Sequence, residues 1–307
     1  MPAPLHVKHF AVIFLMLHLA GGFAGIAYVN NSEQPAFPFC AYGGEFVSDY
    51  SDEDVRRHAA LMDYLDTRVS PAAPVGEIIA AVGYFFLNTE YVDGTLDQHA
   101  DEKLVINLRG LDCVTFVEYA VAAALAYRSQ HTGFDDFSEM MRCLRYRNGQ
   151  IDGYSSRMHY FSEWLLDNES KGILKIISND IGSAPMDTVI DFMSSNPHLY
   201  PQLADKHNLT RIRDIEKALS ARSLHYVPTA DLAGLEEAFR HGDILAFVTR
   251  IDGLDVSHTG FVYRKNGKLH LLHASTRSNM VEISAEPLAV YLQQQPRVAG
   301  VLTGRVL

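Results

Sequence analysis

The chain has 307 residues, 48% of them hydrophobic and 21% charged, an ordinary globular composition with apolar material for one large core or two small ones. A formal net charge of −11 without any clustered run of Lys and Arg argues against a nucleic-acid partner, because phosphate binding needs basic clusters.

Residues 1–9 carry Lys8 and no acid, and Phe10–Val29 is an apolar run that becomes rich in small residues toward its end. This is the layout of a secretory signal, with Gly25-Ile26-Ala27 as the cleavage triplet, so 1–27 is expected to be a signal peptide and 28–307 a single domain. A retained membrane anchor is the alternative, since the run approaches the ~20 residues that span a bilayer. His18 and three glycines weaken it. Cys40 follows Pro38-Phe39 rather than a small residue, which disfavours a lipid anchor. Export to an oxidising compartment leaves at least one of Cys40, Cys113 and Cys143 unpaired. The local sequence favours Cys113 as the free thiol, with Cys40 and Cys143 as the candidate disulfide.

Helical spacing of apolar residues predicts amphipathic helices over 51–68 and 74–88. Asp112 is a natural N-cap for a further helix, Cys113 to Arg128, whose apolar stripe comprises Phe116, Val117, Ala120, Val121 and Ala124. Helical segments continue to Asp205, broken at Asn148-Gly149, Asp152-Gly153 and 194–201, and another helix is expected over Thr229–Arg240. The pattern then becomes strand-like: 243–250, 256–264, 269–274 and, after an intervening helix, 298–307. Asn266-Gly267 between two apolar runs is a strong hairpin signal. Helices first and an antiparallel sheet afterwards make an α+β fold.

Cys113 falls at the first turn of its helix, where unpaired N–H groups and the helix dipole favour a thiolate. A buried, inert cysteine is the competing reading. The hairpin weighs against it. With a two-residue turn at Asn266-Gly267, Lys265 faces Lys268, His258 falls opposite Ser275 and diagonal to His273, and both histidines share one sheet face. A cysteine nucleophile needs a base within reach, and the base needs a third polar group to orient it. Cys113, His258 and His273 supply those three roles. The same residues are typical zinc ligands, yet no close Cys-x-x-Cys or His-x-x-x-His pair accompanies them. No Gly-x-Ser-x-Gly elbow supports a serine hydrolase.

Four segments carry a resemblance: Asp112-Cys113-Val114-Thr115-Phe116-Val117-Glu118, the run from Arg157 to Trp164, the run from Gly253 to Phe261, and Leu272-His273-Ala274-Ser275. In this order they resemble the bacterial N-acetylmuramoyl-L-alanine amidase-like proteins, formerly a domain of unknown function, within the NlpC-type papain-like cell-wall cysteine hydrolases. The resemblance implies a papain-like core in which the cysteine helix packs on an antiparallel sheet. It implies Cys113 as nucleophile, His258 as general base and His273 as the orienting residue, with no metal or organic cofactor. The expected substrate is peptidoglycan or its muropeptide fragments, cut between N-acetylmuramate and L-alanine, and the expected location is exported, in the periplasm, without stable membrane insertion after signal cleavage.

A stem peptide offers carboxylates that an arginine clamps in bidentate fashion, so Arg157 is a candidate substrate-binding residue, with Tyr154, Ser156 and Tyr160 adding hydrogen bonds. Against this, Tyr160, Phe161 and Trp164 would form a packing face that Arg157 caps or covers. Asp112 and Glu118 read as cap and structural charge, and Asp255 as a turn residue. An endopeptidase cutting within the stem peptide and a non-catalytic wall-binding protein are the alternative functions.

Overall fold

The computed structural model describes residues 46–307. The expected signal segment at 1–27 and Cys40 lie outside the described residues. The helices are α1 (Asp52–Arg68), α2 (Val75–Phe85), α3 (Cys113–Arg128), α4 (Phe134–Arg145), α5 (Phe161–Ser170), α6 (Ser178–Ile181), α7 (Phe192–Ser195), α8 (Lys206–Ser220) and α9 (Leu288–Gln293). The strands are β1 (Ser48–Asp49), β2 (Glu90–Tyr91), β3 (Leu104–Val105), β4 (Gly110–Leu111), β5 (Leu174–Ile176), β6 (Ala184–Pro185), β7 (His225–Pro228), β8 (Ile244–Thr249), β9 (Val256–Lys265), β10 (Lys268–Ser275), β11 (Met280–Ile283) and β12 (Val298–Val306).

The main sheet runs β4-β2-β11-β10-β9-β8-β12-β7-β6, with β5 on β12, and β1 pairs separately with β3. The α+β class holds, but the sheet is mixed rather than purely antiparallel, because β2 and β4 run parallel. Alternate residues of β8 enter two cores. Ile244, Ala246 and Val248 face the helical layer with α3, whereas Leu245 and Phe247 join Leu288 and Leu292 of α9 on the other face. The sheet is thus covered on both sides, which explains why all of β8 is buried and every residue of it but Thr249 is apolar.

Helix α3 begins where the sequence places it, and the reason is local. Asp112 Oδ1 accepts from Thr115 N at 2.7 Å, and Thr115 Oγ1 accepts from Asp112 N at 3.0 Å, a reciprocal capping box. Every residue from Thr115 to Tyr127 is buried, so α3 is a central helix rather than one with a single apolar stripe. It packs on α2, α4, β9 and β10. The one acid inside it, Glu118, pairs with equally buried Arg145 at 2.7 Å.

The helix expected at Thr229–Arg240 is not formed. Only short 3-10 turns occur, at Leu232–Gly234 and Glu236–Ala238. Arg264 Nη2 donates to the carbonyls of Glu236 and Phe239, and Arg305 Nη2 to that of Ala238, so side chains from β9 and β12 tie down the carbonyls of this segment in its non-helical course.

The β9–β10 hairpin follows the Asn266-Gly267 turn. Both residues have positive φ, 52° and 77°, as a type I′ turn requires. Pairing runs from Lys265↔Lys268 to Phe261↔Leu272, the register counted from the sequence. Gly260 lies where a Cβ would come within 2.9 Å of His273 Cβ, so glycine permits the close approach of the two strands beside the histidines.

Candidate active site

Cys113, His258 and His273 line one cavity of about 420 Å³, together with Tyr91, Ser275, Arg277, Tyr291 and Arg297. Cys113 is free, and Cys143 is disulfide-bonded. The candidate partner named from the sequence, Cys40, falls outside the described residues. Among the described residues no group of three or more His, Cys, Asp or Glu is disposed to hold a metal ion.

His258 Nε2 lies 2.7 Å from His273 Nδ1, with the rings edge to face at 4.9 Å. The β8–β9 register slips by one residue between Ala246↔Thr259 and Val248↔Val256, a bulge that sets Ser257 and His258 against Phe247. The Phe247 and His258 rings are 5.4 Å apart, and Tyr291 packs on His273 at 5.6 Å. These rings hold the imidazole pair in place. Thr259, next in the chain, donates from Oγ1 to the Cys113 carbonyl at 2.7 Å and so ties the start of α3 to β9. No hydrogen bond joins Cys113 Sγ to His258; the two share a cavity wall.

Electrostatics at the thiol reverse the expectation from helix position. Burial pushes the Cys113 thiol up to about 12, the Asp112 carboxylate adds to this, and hydrogen bonds from Thr259 act the other way. Burial lowers His258 to about 3, with His273 contributing, and lowers His273 to about 4, with Arg277 contributing. These shifts all favour the neutral thiol and the neutral imidazoles. With Nε2 of His258 engaged by His273, Nδ1 is the ring nitrogen left to accept a proton from the thiol.

The four residues expected to bind substrate do not line this cavity. Arg157 is buried, with Nη2 on Asp97 at 2.5 Å and Nε 3.1 Å from Glu102, so its guanidinium serves internal carboxylates rather than presenting a clamp. Tyr154 is buried against the His159 ring at 4.3 Å, beneath the Arg157 guanidinium. Ser156 Oγ donates to Gly153 O, and Tyr160 OH donates to Glu216 while accepting from Met193 N. Phe161 and Trp164 stack at 5.0 Å. The segment is a packing face, for which its aromatic spacing was itself the signal. Asp255 is more than a turn residue. Its buried carboxylate accepts from Ser162 N at the start of α5 and from Val256 N, joining α5 to β9.

Sequence reasoning did not single out Thr259, Tyr91, Tyr291, Arg277 or Arg297. Thr259 and Arg277 lie one and four residues beyond the histidines, so proximity to the motifs was a usable signal for them. Tyr91, Tyr291 and Arg297 come from distant elements and carried none.

A family profile described as AmiA-like, N-acetylmuramoyl-L-alanine amidase-like, matches residues 81–301. The crystal structure of an N-acetylmuramoyl-L-alanine amidase from Bacteroides uniformis is similar at a TM-score of 0.73 and 35% identity, covering 76% of this chain and 98% of that one. A Bacteroides fragilis protein provisionally named a xylanase gives 0.70 and 36% identity over 73% and 98% of the two chains. A Legionella pneumophila protein at 21% identity and a TM-score of 0.63, covering 83% of this chain and 95% of that one, shares the fold. No curated protein matches. The profile spans the cysteine helix, both histidine strands and the sheet between them, and on that match the chain belongs to the N-acetylmuramoyl-L-alanine amidase-like family.

Proposed function

We propose that the protein is a peptidoglycan hydrolase that cleaves the amide between the lactyl group of N-acetylmuramate and L-alanine, with Cys113 as nucleophile on a papain-like core of the NlpC type. The observation that carries this reading is the cavity holding Cys113 beside an imidazole pair closed at 2.7 Å. As sulfur attacks the carbonyl carbon, the thiol proton passes to His258 Nδ1. The tetrahedral oxyanion faces the backbone N–H of Cys113 at the start of α3. Collapse breaks the C–N bond, and the His258 imidazolium gives its proton to the departing L-alanine nitrogen. Water, deprotonated by His258, then hydrolyses the thioester and restores the thiol.

The cavity lining supports an anionic substrate. Arg277 and Arg297 are both exposed there, neither forms an ion pair among the described residues, and no Asp or Glu lines the cavity. A stem peptide carries carboxylates that suit these two cations. The same lining weighs against glycoside hydrolysis, which uses a pair of carboxyl groups. Export to the periplasm, read from the first residues, fits this substrate.

The test is incubation of the purified protein and its Cys113→Ala variant with defined muropeptides, followed by mass spectrometry. An intact stem peptide released from an N-acetylmuramate-containing sugar, absent with Cys113→Ala, is the expected result. Shortened peptides still joined to sugar would replace this reading with an endopeptidase, and no cleavage would favour a wall-binding protein.

A further inference from the structure

The His258–His273 pair is a usable base only in one arrangement of its protons. If His273 carries its proton on Nδ1, it donates to His258 Nε2, the His258 proton moves to Nδ1, and the thiol meets an N–H instead of a lone pair. If His273 carries it on Nε2, its Nδ1 accepts from His258 Nε2–H, and His258 Nδ1 is left as an acceptor. Something at His273 Nε2 must choose between these states.

Glu282 occupies that position. It is the direct cross-strand partner of His273 in the antiparallel β10–β11 pair, and its Oε1 lies 3.6 Å from His273 Nε2. That nitrogen is buried and has no hydrogen-bond partner, although the other ring nitrogen is fully engaged. The Glu282 side chain is 34% exposed, so it is not locked by packing on every side. The groups facing His273 are His258 from β9, Glu282 from β11, Arg277 from the following turn and the Tyr291 ring from α9. Only Glu282 among them is an anion.

We propose that Glu282 is a positioning residue which, by accepting from His273 Nε2–H, fixes the tautomers of both histidines so that His258 Nδ1 faces the thiol as a base. The site is then a four-membered chain, Cys113, His258, His273 and Glu282, and the sequence motifs contain only the first three. This rests on the hydrolase reading for its consequence in catalysis, but not for the proton arrangement itself.

The experiment has two arms. In the first, ring nitrogen-15 shifts of the two histidines are recorded on the intact protein without substrate, so the result stands whether or not the hydrolase reading survives. The wild type is expected to show His273 and His258 both protonated at Nε2. Glu282→Ala is expected to lose that arrangement, and Glu282→Gln, which keeps an acceptor, to retain it. Wild-type His273 protonated at Nδ1, or tautomers unchanged in Glu282→Ala, would overturn the proposal. In the second arm, muropeptide kinetics are measured against pH. Glu282→Ala should lower kcat by about 10-fold or more with KM little changed, and its acid limb should move to lower pH, because an anion that favours the imidazolium is gone. In Glu282→Gln kcat should recover while the acid limb stays displaced, a split that general loss of structure does not produce. Wild-type kcat and an unmoved acid limb in Glu282→Ala would sink the catalytic part. Should Glu282→Ala fail to fold, Glu282→Gln decides alone: an acid limb that does not move counts against the proposal.

Discussion

Thr259 Oγ1 donates a 2.7 Å hydrogen bond to the Cys113 carbonyl, so the residue beside the proposed base is fastened to the backbone of the proposed nucleophile. The two are 146 positions apart in the chain. This tie, together with the capping box at Asp112, sets where the start of α3 meets β9. In Thr259→Val the side-chain shape stays and the donor is lost. We expect kcat to fall with little change in KM, and stability to drop by about 1 kcal/mol, the net worth of one such bond. Steady-state kinetics and urea unfolding measure the two, and an unchanged kcat would remove Thr259 from the positioning machinery.

Shifts that favour the neutral thiol and the neutral imidazole predict a broad pH profile. His258 must be unprotonated to act as base and burial holds its imidazole down to about 3, so the acid limb of kcat/KM should fall well below the ordinary histidine range. Burial holds the Cys113 thiol up at about 12, so alkylation by iodoacetamide should be slow at neutral pH and climb steadily past pH 9. An alkylation rate already level below pH 7 would instead indicate a resting thiolate–imidazolium pair.

Folding stability should decline in mild acid. Burial lowers His58, packed against Phe134 and Phe137, to about 4, alongside His273 at about 4 and His258 at about 3. For each, the unfolded chain takes up a proton near pH 6.5 while the folded chain does not. The stabilisation is therefore complete above that value and is lost as pH falls toward the folded-state pKa, at about 1.4 kcal/mol per pH unit for each fully contributing histidine. Urea midpoints between pH 7.5 and 4.5 test this. Replacing His58 with Phe should flatten the slope, and an unaltered slope would exclude it as a contributor.

Glu118 and Arg145 form a buried pair inside the core that carries α3, and Arg145 Nη1 also donates to Val105 O at 2.6 Å. Glu118→Ala leaves the buried guanidinium without its carboxylate partner and should cost about 3–5 kcal/mol. Arg145→Met in the same background should recover part of the loss. Recovery of nothing would mean that the pair is not where the cost arises.

The legible parts of this molecule were those fixed by neighbours in the chain. Asp112 and Thr115 cap a helix three residues apart, and Asn266-Gly267 adopts the positive φ values that set a hairpin register. Those two local facts place Cys113 at a helix start and bring His258 and His273 within 2.7 Å across a strand pair. The Thr229–Arg240 segment is not the helix its pattern predicts, and its carbonyls are held by Arg264 and Arg305, from strands later in the chain. The placement of Arg157 was equally hidden. Nothing within its own segment announces the two carboxylates, Asp97 and Glu102, that reach it from about 60 positions earlier.

The sequence by itself determined the start of the cysteine helix, the hairpin register and with it the pairing of the two imidazoles, because each depends on residues within a turn or a strand pair of one another. Only the tertiary structure decided the surroundings of the thiol, where burial opposes the helix dipole. It also decided which cations line the cavity, and that Glu282 stands behind His273. Those depend on desolvation and on contacts between elements far apart along the chain, quantities that no local pattern encodes.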